Sequence, residues 1–244
     1  MKYTFIYFDT ETTGTEEKDR LCQLAYIIGK NENNIPTETY NELFKPSLSI
    51  PPEASAVTHI TNKMVVDKPA FSESPDYRKI KELFEREDVV AVAHNAKFDI
   101  SMLAKENIFP KNFICTLKLA RYLDPENKLP QYKLQYLRYL LDIEIEAQAH
   151  DALGDVLVLE KLFERLYQKV LNEEKTNDKA VAKMLEVSNR PSMITNIHFG
   201  KYIGQKIADV AVMDKRYLEW LYNEKLKSDK DEEDWLYTLE HYLK

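Results

Sequence analysis

The chain has 244 residues, 44% hydrophobic and 31% charged, with a formal net charge of −7. That length suits one or two soluble domains with a real core, and the acidic balance excludes a protein that coats nucleic acid by bulk charge, because such binding needs Lys and Arg to neutralise phosphates. A nuclease is not excluded. The apolar opening at residues 3–8 is too short for a signal-peptide core and ends in Asp9, and no later run approaches a membrane span, so a cytoplasmic protein with no membrane partner is expected. Cys22 and Cys115 are the only cysteines and form no CxxC pattern, which points away from a disulfide framework and from zinc.

In chain order, residues 3–8 read as a buried strand, and residues 21–28 and 37–44 as two more. The connections between these strands are short, which favours antiparallel neighbours, since a parallel pair needs a crossover of about a dozen residues or more. A helical pattern at residues 77–84 precedes the β-rich run 89–93 and a helix opening near Asn95; strand followed by helix indicates a parallel addition to the sheet. After a short apolar piece at residues 113–115, the leucines from Leu134 to Leu141 and from Leu153 to Leu166 fall at helical spacing. The reading is an α/β domain over residues 1–170, a polar linker over 171–194 with a weak helical signal at 181–185, and a small module over 195–244. That module starts with strand and turn signals at 197–204 and continues as helices around Trp220 and Trp235.

Three short motifs carry chemistry. In FDTETTG (residues 8–14), strand alternation puts Asp9 and Glu11 on one face, about 7 Å apart along the chain, where two carboxylates can share cations. In HNAKFD (94–99), Asn95 is suited to cap a helix and Asp99 falls near its first turn, at the strand edge where open α/β sheets bind ligands. In HDALGD (150–155), Asp151 can cap the long helix, Asp155 lies in its first turns, and His150 stands just outside; either aspartate can serve as ligand. Each motif alone also has a plain structural reading as turn, cap or helix-dipole partner. Together, Asp9, Glu11, Asp99 and Asp155 would raise one another's pKa in a single cleft unless cations compensate. Oxygen-only ligation with open positions is the preference of Mg²⁺ or Mn²⁺.

The order FDTETTG, HNAKFD, H-x4-D resembles the three exonuclease motifs of the DEDDh family of 3′ to 5′ exonucleases, over roughly residues 3–170. The stretches PPEASAVTHIT (51–61) and ICTLKLARYL (114–123) are similar to segments of exonuclease X-like and bacterial proofreading members. FGKYIGQKIADV (199–210) with YLEWLY (217–222) resembles the small C-terminal module of the exonuclease X-like members. One departure is that proofreading members often place a His where this chain has Thr58, with His59 one position later.

The resemblance implies an RNase H-like fold, a mixed five-stranded sheet flanked by helices, with the small C-terminal module added. It implies two divalent cations held by Asp9, Glu11, Asp99 and Asp155, with Asp9 bridging, and His150 as general base. Thr10, Thr12, Asn95, Phe98 and His59 are the expected substrate-binding residues, Phe98 either stacking on the terminal base or belonging to the core. The implied partner is DNA, at single-stranded or frayed 3′ ends, with release of 5′-mononucleotides. Two alternatives stand beside it: an exoribonuclease trimming RNA 3′ ends, and a catalytically silent nucleic-acid-binding or polymerase-associated module.

Overall fold

The computed structural model describes residues 3–30, 36–145, 152–228 and 232–244. Three strands come first, β1 (Thr4–Thr12), β2 (Leu21–Lys30) and β3 (Pro36–Leu43), followed by the short helices α1 (Pro52–Thr58) and α2 (Asn62–Val65) and by α3 (Tyr77–Phe84). Then β4 (Val89–Ala93) leads into α4 (Ala96–Lys105), and β5 (Phe113–Cys115) into α5 (Thr116–Tyr122). Helices α6 (Leu134–Leu140), α7 (Ala152–Glu174) and α8 (Asn177–Ser188) complete the first unit. The C-terminal module is α9 (Ile207–Met213), α10 (Lys215–Leu226) and α11 (Glu233–Leu243).

The sheet has five strands in the order β3-β2-β1-β4-β5. As the short connections require, β1 pairs antiparallel with β2 and β2 with β3, while the strand-helix crossovers make β1–β4 and β4–β5 parallel. This is the expected mixed sheet flanked by helices. Strand alternation divides its side chains between two cores. Phe5, Tyr7, Val90 and Val92 meet α7 and α8 on one face, with Phe163 5.0 Å from Phe5 and 5.4 Å from Tyr7 between ring centroids. Ile6, Phe8, Ala91 and Ala93 meet Ile80 and Phe84 of α3 and Met102 and Leu103 of α4 on the other. A small satellite cluster, Cys22, Ile50, Ile60 and Val65, holds α1 and α2 beside the sheet.

Two expectations need correction. The stretch 171–194 is not a free linker: α7 continues to Glu174, and α8 buries Ala180, Val181, Met184 and Val187 in the same core as the sheet. Those apolar residues share one face of a helix whose other face is charged and solvated, so the composition averages to polar although the helix is packed. Residues 197–199 form no strand either. The segment makes an isolated bridge, Asn196 with Lys206, around a 3₁₀ turn at Gly200–Tyr202, and the module's core is built on Ile194, Ile197, Ile207, Val210, Leu218, Leu221 and Leu239.

Candidate active site

β1 is longer than its partner β4. Their parallel pairing ends at Tyr7 with Val92, so residues 9–12 continue past the end of β4, held only by β2 on their other side. Burial alternates along this extension: Thr10 and Thr12 are buried, Asp9 and Glu11 half-buried. The N–H of Thr10 has lost its strand partner, and Asp99 takes it. Asp99 Oδ1 accepts from the Thr10 N–H at 3.1 Å and from Thr10 Oγ1 at 2.7 Å. Thr10 therefore directs both donors at Asp99, not at an open cleft. Asp99 lies in the first turn of α4, as its spacing from Asn95 indicated.

Asp155, in the first turn of α7, completes the cluster. Carboxylate oxygens of Asp9, Glu11 and Asp155 all lie within 4.8 Å of one another. Burial raises the Asp9 carboxyl well above the usual range, and the charges of Asp99, Glu11 and Asp155 raise it further. Asp99 is pushed up to about 7 by burial, against the opposing effect of its bonds from Thr10. Closely set oxygen donors that repel one another in this way fit a hard divalent cation, and Asp9, Glu11 and Asp155 are the residues placed to hold it. The choice between Asp151 and Asp155 is thus informed on one side, since Asp155 stands with Asp9 and Glu11. Asp151 and His150 lie outside the described residues.

One contact was not foreseen. Gln135 on α6 donates from Nε2 to Asp155 Oδ1, and its own Oε1 accepts from Arg138 Nη1 at 3.4 Å. A neutral amide inside a leucine-rich helix carries no charge pattern or motif, so only the packing of α6 on α7 reveals it.

The turn after β1 is fixed by its own bonds. Thr12 Oγ1 donates to the Gly14 carbonyl at 2.7 Å, Thr13 Oγ1 to Asp19 Oδ1 at 2.8 Å, and Asp19 Oδ2 accepts from the Glu16 N–H at 2.7 Å. Gly14 is required by close approach, because a Cβ there would collide with the Asp19 carboxylate.

Asn95 occupies the N-cap position of α4, yet its side chain makes no cap bond: its backbone is left-handed, with φ 66°, and the side chain is exposed. Asparagine tolerates that conformation better than most residues, which accounts for its presence at this corner. Phe98 is half-buried against the core that contains Met102 and Leu103. His59 closes α1 in left-handed backbone with φ 58° and is exposed, on a helix packed beside β1. His94, first residue of its motif, is structural. Its Nε2 donates to the Tyr132 carbonyl at 2.8 Å, which leaves Nδ1 to accept from Thr116 Oγ1 at 2.9 Å in the neutral ring. Burial lowers its pKa to about 4.

Comparison with known proteins agrees with this geometry. The family described as exonuclease (RNase T) matches residues 6–163, and the exodeoxyribonuclease X-like C-terminal family matches residues 197–225. Exodeoxyribonuclease 10 of Escherichia coli (strain K12) is 32% identical over 237 residues, covering 96% of both chains. DNA polymerase III subunit epsilon of Treponema pallidum (strain Nichols) is 34% identical over 168 residues, 65% of this chain and 74% of that relative. Among solved structures, exonuclease X in complex with 5′ overhanging duplex DNA superposes with a TM-score of 0.57 at 25% identity, covering 76% of this chain and 99% of that one.

Proposed function

Because the chain belongs to the exonuclease family, and carries the exodeoxyribonuclease X-like C-terminal segment besides, we propose that it removes nucleotides from DNA 3′ ends in the 3′ to 5′ direction, releasing 5′-mononucleotides. The observation that carries this reading is the convergence of Asp9, Glu11 and Asp155 within 4.8 Å, with Asp99 tied to the same strand through Thr10. A catalytically silent binding module would have no use for so many mutually repelling carboxylates in one place.

In this reading Asp9, Glu11, Asp99 and Asp155 hold two divalent cations, Mg²⁺ or Mn²⁺. When bound, these supply the positive charge that stabilises the attacking and leaving oxygens of an in-line phosphodiester displacement. The chain's own groups do the rest. His150, five residues before Asp155, takes the proton of the attacking water on an imidazole nitrogen, whose ordinary pKa of about 6.5 suits a base near neutrality. Phe98 offers a ring face to the terminal base, with Thr12, Asn95 and His59 as further contacts to the terminal nucleotide. Thr10 acts one step back, keeping Asp99 aimed at the cluster.

The substrate is a single-stranded or frayed DNA 3′ end, met by a protein that works in the cytoplasm; among the described residues no helix is long and apolar enough to cross a membrane. The test is hydrolysis of labelled single-stranded DNA, overhanging duplex DNA and RNA with Mg²⁺ or Mn²⁺, beside Asp9→Ala and His150→Ala. Mononucleotide release from DNA 3′ ends, abolished in both variants while His150→Ala still binds DNA and metal, is expected. RNA as the preferred substrate, or near-normal turnover by His150→Ala, would overturn the corresponding part of the reading.

A further inference from the structure

The first turn of α4 carries Asp99, yet that turn has no side-chain cap of its own, since Asn95 makes none. Beside the packing of Ala96 and Phe98 in the core, its orientation is set by polar ties to neighbouring elements. One is the Asp99 bond to Thr10 of β1. The second comes from the opposite side. Residues two apart on an α-helix point about 200° apart, so Lys97 faces away from Asp99. There it forms an ion pair with Glu233 Oε2, at the start of α11 in the C-terminal module. The other oxygen of Glu233 lies 3.7 Å from Lys118 Nζ on α5, so one carboxylate bridges the two helices that follow the parallel strands.

The neighbouring residue is the anchor. Asp234 accepts from Arg121 Nη1 at 2.7 Å, from the Ser192 N–H at 2.8 Å and from Ser192 Oγ at 2.8 Å, with Lys118 Nζ at 3.6 Å. Lys118, 6% exposed, also donates to the Arg190 carbonyl at 2.6 Å. The segment entering the module is bonded as well, through Thr195 Oγ1 to Asn127 at 2.7 Å and Asn196 Nδ2 to the Pro130 carbonyl at 3.1 Å. The module is thus docked by a partly buried network, and Glu233 projects from that dock onto the active-site helix.

We propose that Glu233, fixed by the Asp234 network, is a positioning residue: through Lys97 it holds the first turn of α4 against β1, which makes the C-terminal module part of the active-site scaffold. The proposal rests on the exonuclease reading for its effect on rate, but the clamp itself is a statement about structure. A partly exposed ion pair adds little to global stability. Misplacing a catalytic group by about 1 Å costs up to about 100-fold in rate. A clamp therefore shows in kcat before it shows in melting.

The experiment uses the full chain with Glu233→Gln, Lys97→Met, the double variant and Lys97→Arg. Glu233→Gln and Lys97→Met should each lower kcat about fivefold, well inside the loss that misplacement can cause. KM and the melting temperature should stay near those of the parent chain. The double variant should be no slower than either single one, because both remove the same contact, and Lys97→Arg should retain the rate. Amide exchange at Phe98, whose N–H bonds the Asn95 carbonyl at 3.0 Å, should quicken in Glu233→Gln. Unchanged kcat together with unchanged exchange in α4, or losses that add in the double variant, would overturn the clamp. If the parent chain shows no nuclease activity, the functional reading fails, and the exchange measurement still decides the clamp.

Discussion

Asp9 and Asp234 are both aspartates drawn into the protein, and their surroundings treat them oppositely. Around Asp9 the neighbours are other carboxylates, so burial and like charge both raise its pKa. Around Asp234 are an arginine, a lysine and both donors of Ser192. A carboxylate that the fold satisfies is a fastener. One that the fold leaves in repulsion is useful only when something from outside supplies the missing charge.

The sharpest way to break that comparison is to neutralise each group. Asp9→Ala should reduce nuclease turnover roughly 10³-fold or more, the scale of several kcal/mol of transition-state charge stabilisation, read as nucleotide release with Mg²⁺. In metal-free protein Asp9→Asn should instead raise the melting temperature, because it removes a repelled charge. Asp234→Asn should do the reverse, costing about 2 kcal/mol in urea unfolding because it leaves Arg121 and Ser192 less well paired. A melting temperature that falls in both variants would erase the distinction.

A smaller effect is expected in pH dependence. Asp99 titrates at about 7 in the folded, metal-free chain, above an ordinary carboxyl. A raised acid binds its proton more tightly folded than unfolded. Metal-free stability from this group is therefore full below the unfolded pKa of about 4 and declines as pH rises towards 7. Asp99→Asn should flatten that decline, and Mg²⁺ should counteract it in the parent. Smaller still is His94, a base lowered to about 4. Its contribution is full above the unfolded value of about 6.5 and is lost as pH falls from there towards 4, the opposite slope in an overlapping window. Melting curves of His94→Gln against the parent, taken from pH 4 to 7, check the sign.

The active strand and its carboxylates were legible because short-range rules govern them. Alternation places Asp9 with Glu11, and helical spacing places Asp99 in the first turn of α4. What escaped was whatever depends on a distant partner. Glu233 and Asp234 belong to no motif and stand in the first turn of α11, where acids complement the helix dipole, while their partners are Lys97, Lys118 and Arg121, more than a hundred residues earlier. Gln135 reaches Asp155 only because α6 lies on α7. Asn95 shows a local rule overridden: a good capping residue is placed in left-handed backbone, from which its side chain does not reach the helix. Helix α8 gives only a weak helical signal at 181–185 and reads as linker because its charged face outweighs Ala180, Val181, Met184 and Val187 in composition.

The satellite cluster beside the sheet has only four buried residues, Cys22, Ile50, Ile60 and Val65, to hold the segment that bears His59. With so small a cluster, residues 50–65 should open locally at a lower free energy than the sheet itself. Burial, with the nearby Glu11 charge, pushes the Cys22 thiol up to about 12, so it is unreactive while covered. Alkylation of Cys22 in the native chain, compared with Cys115 in the main core, should therefore count these openings. Cys22 is thereby a chemical reporter placed under the segment that bears His59.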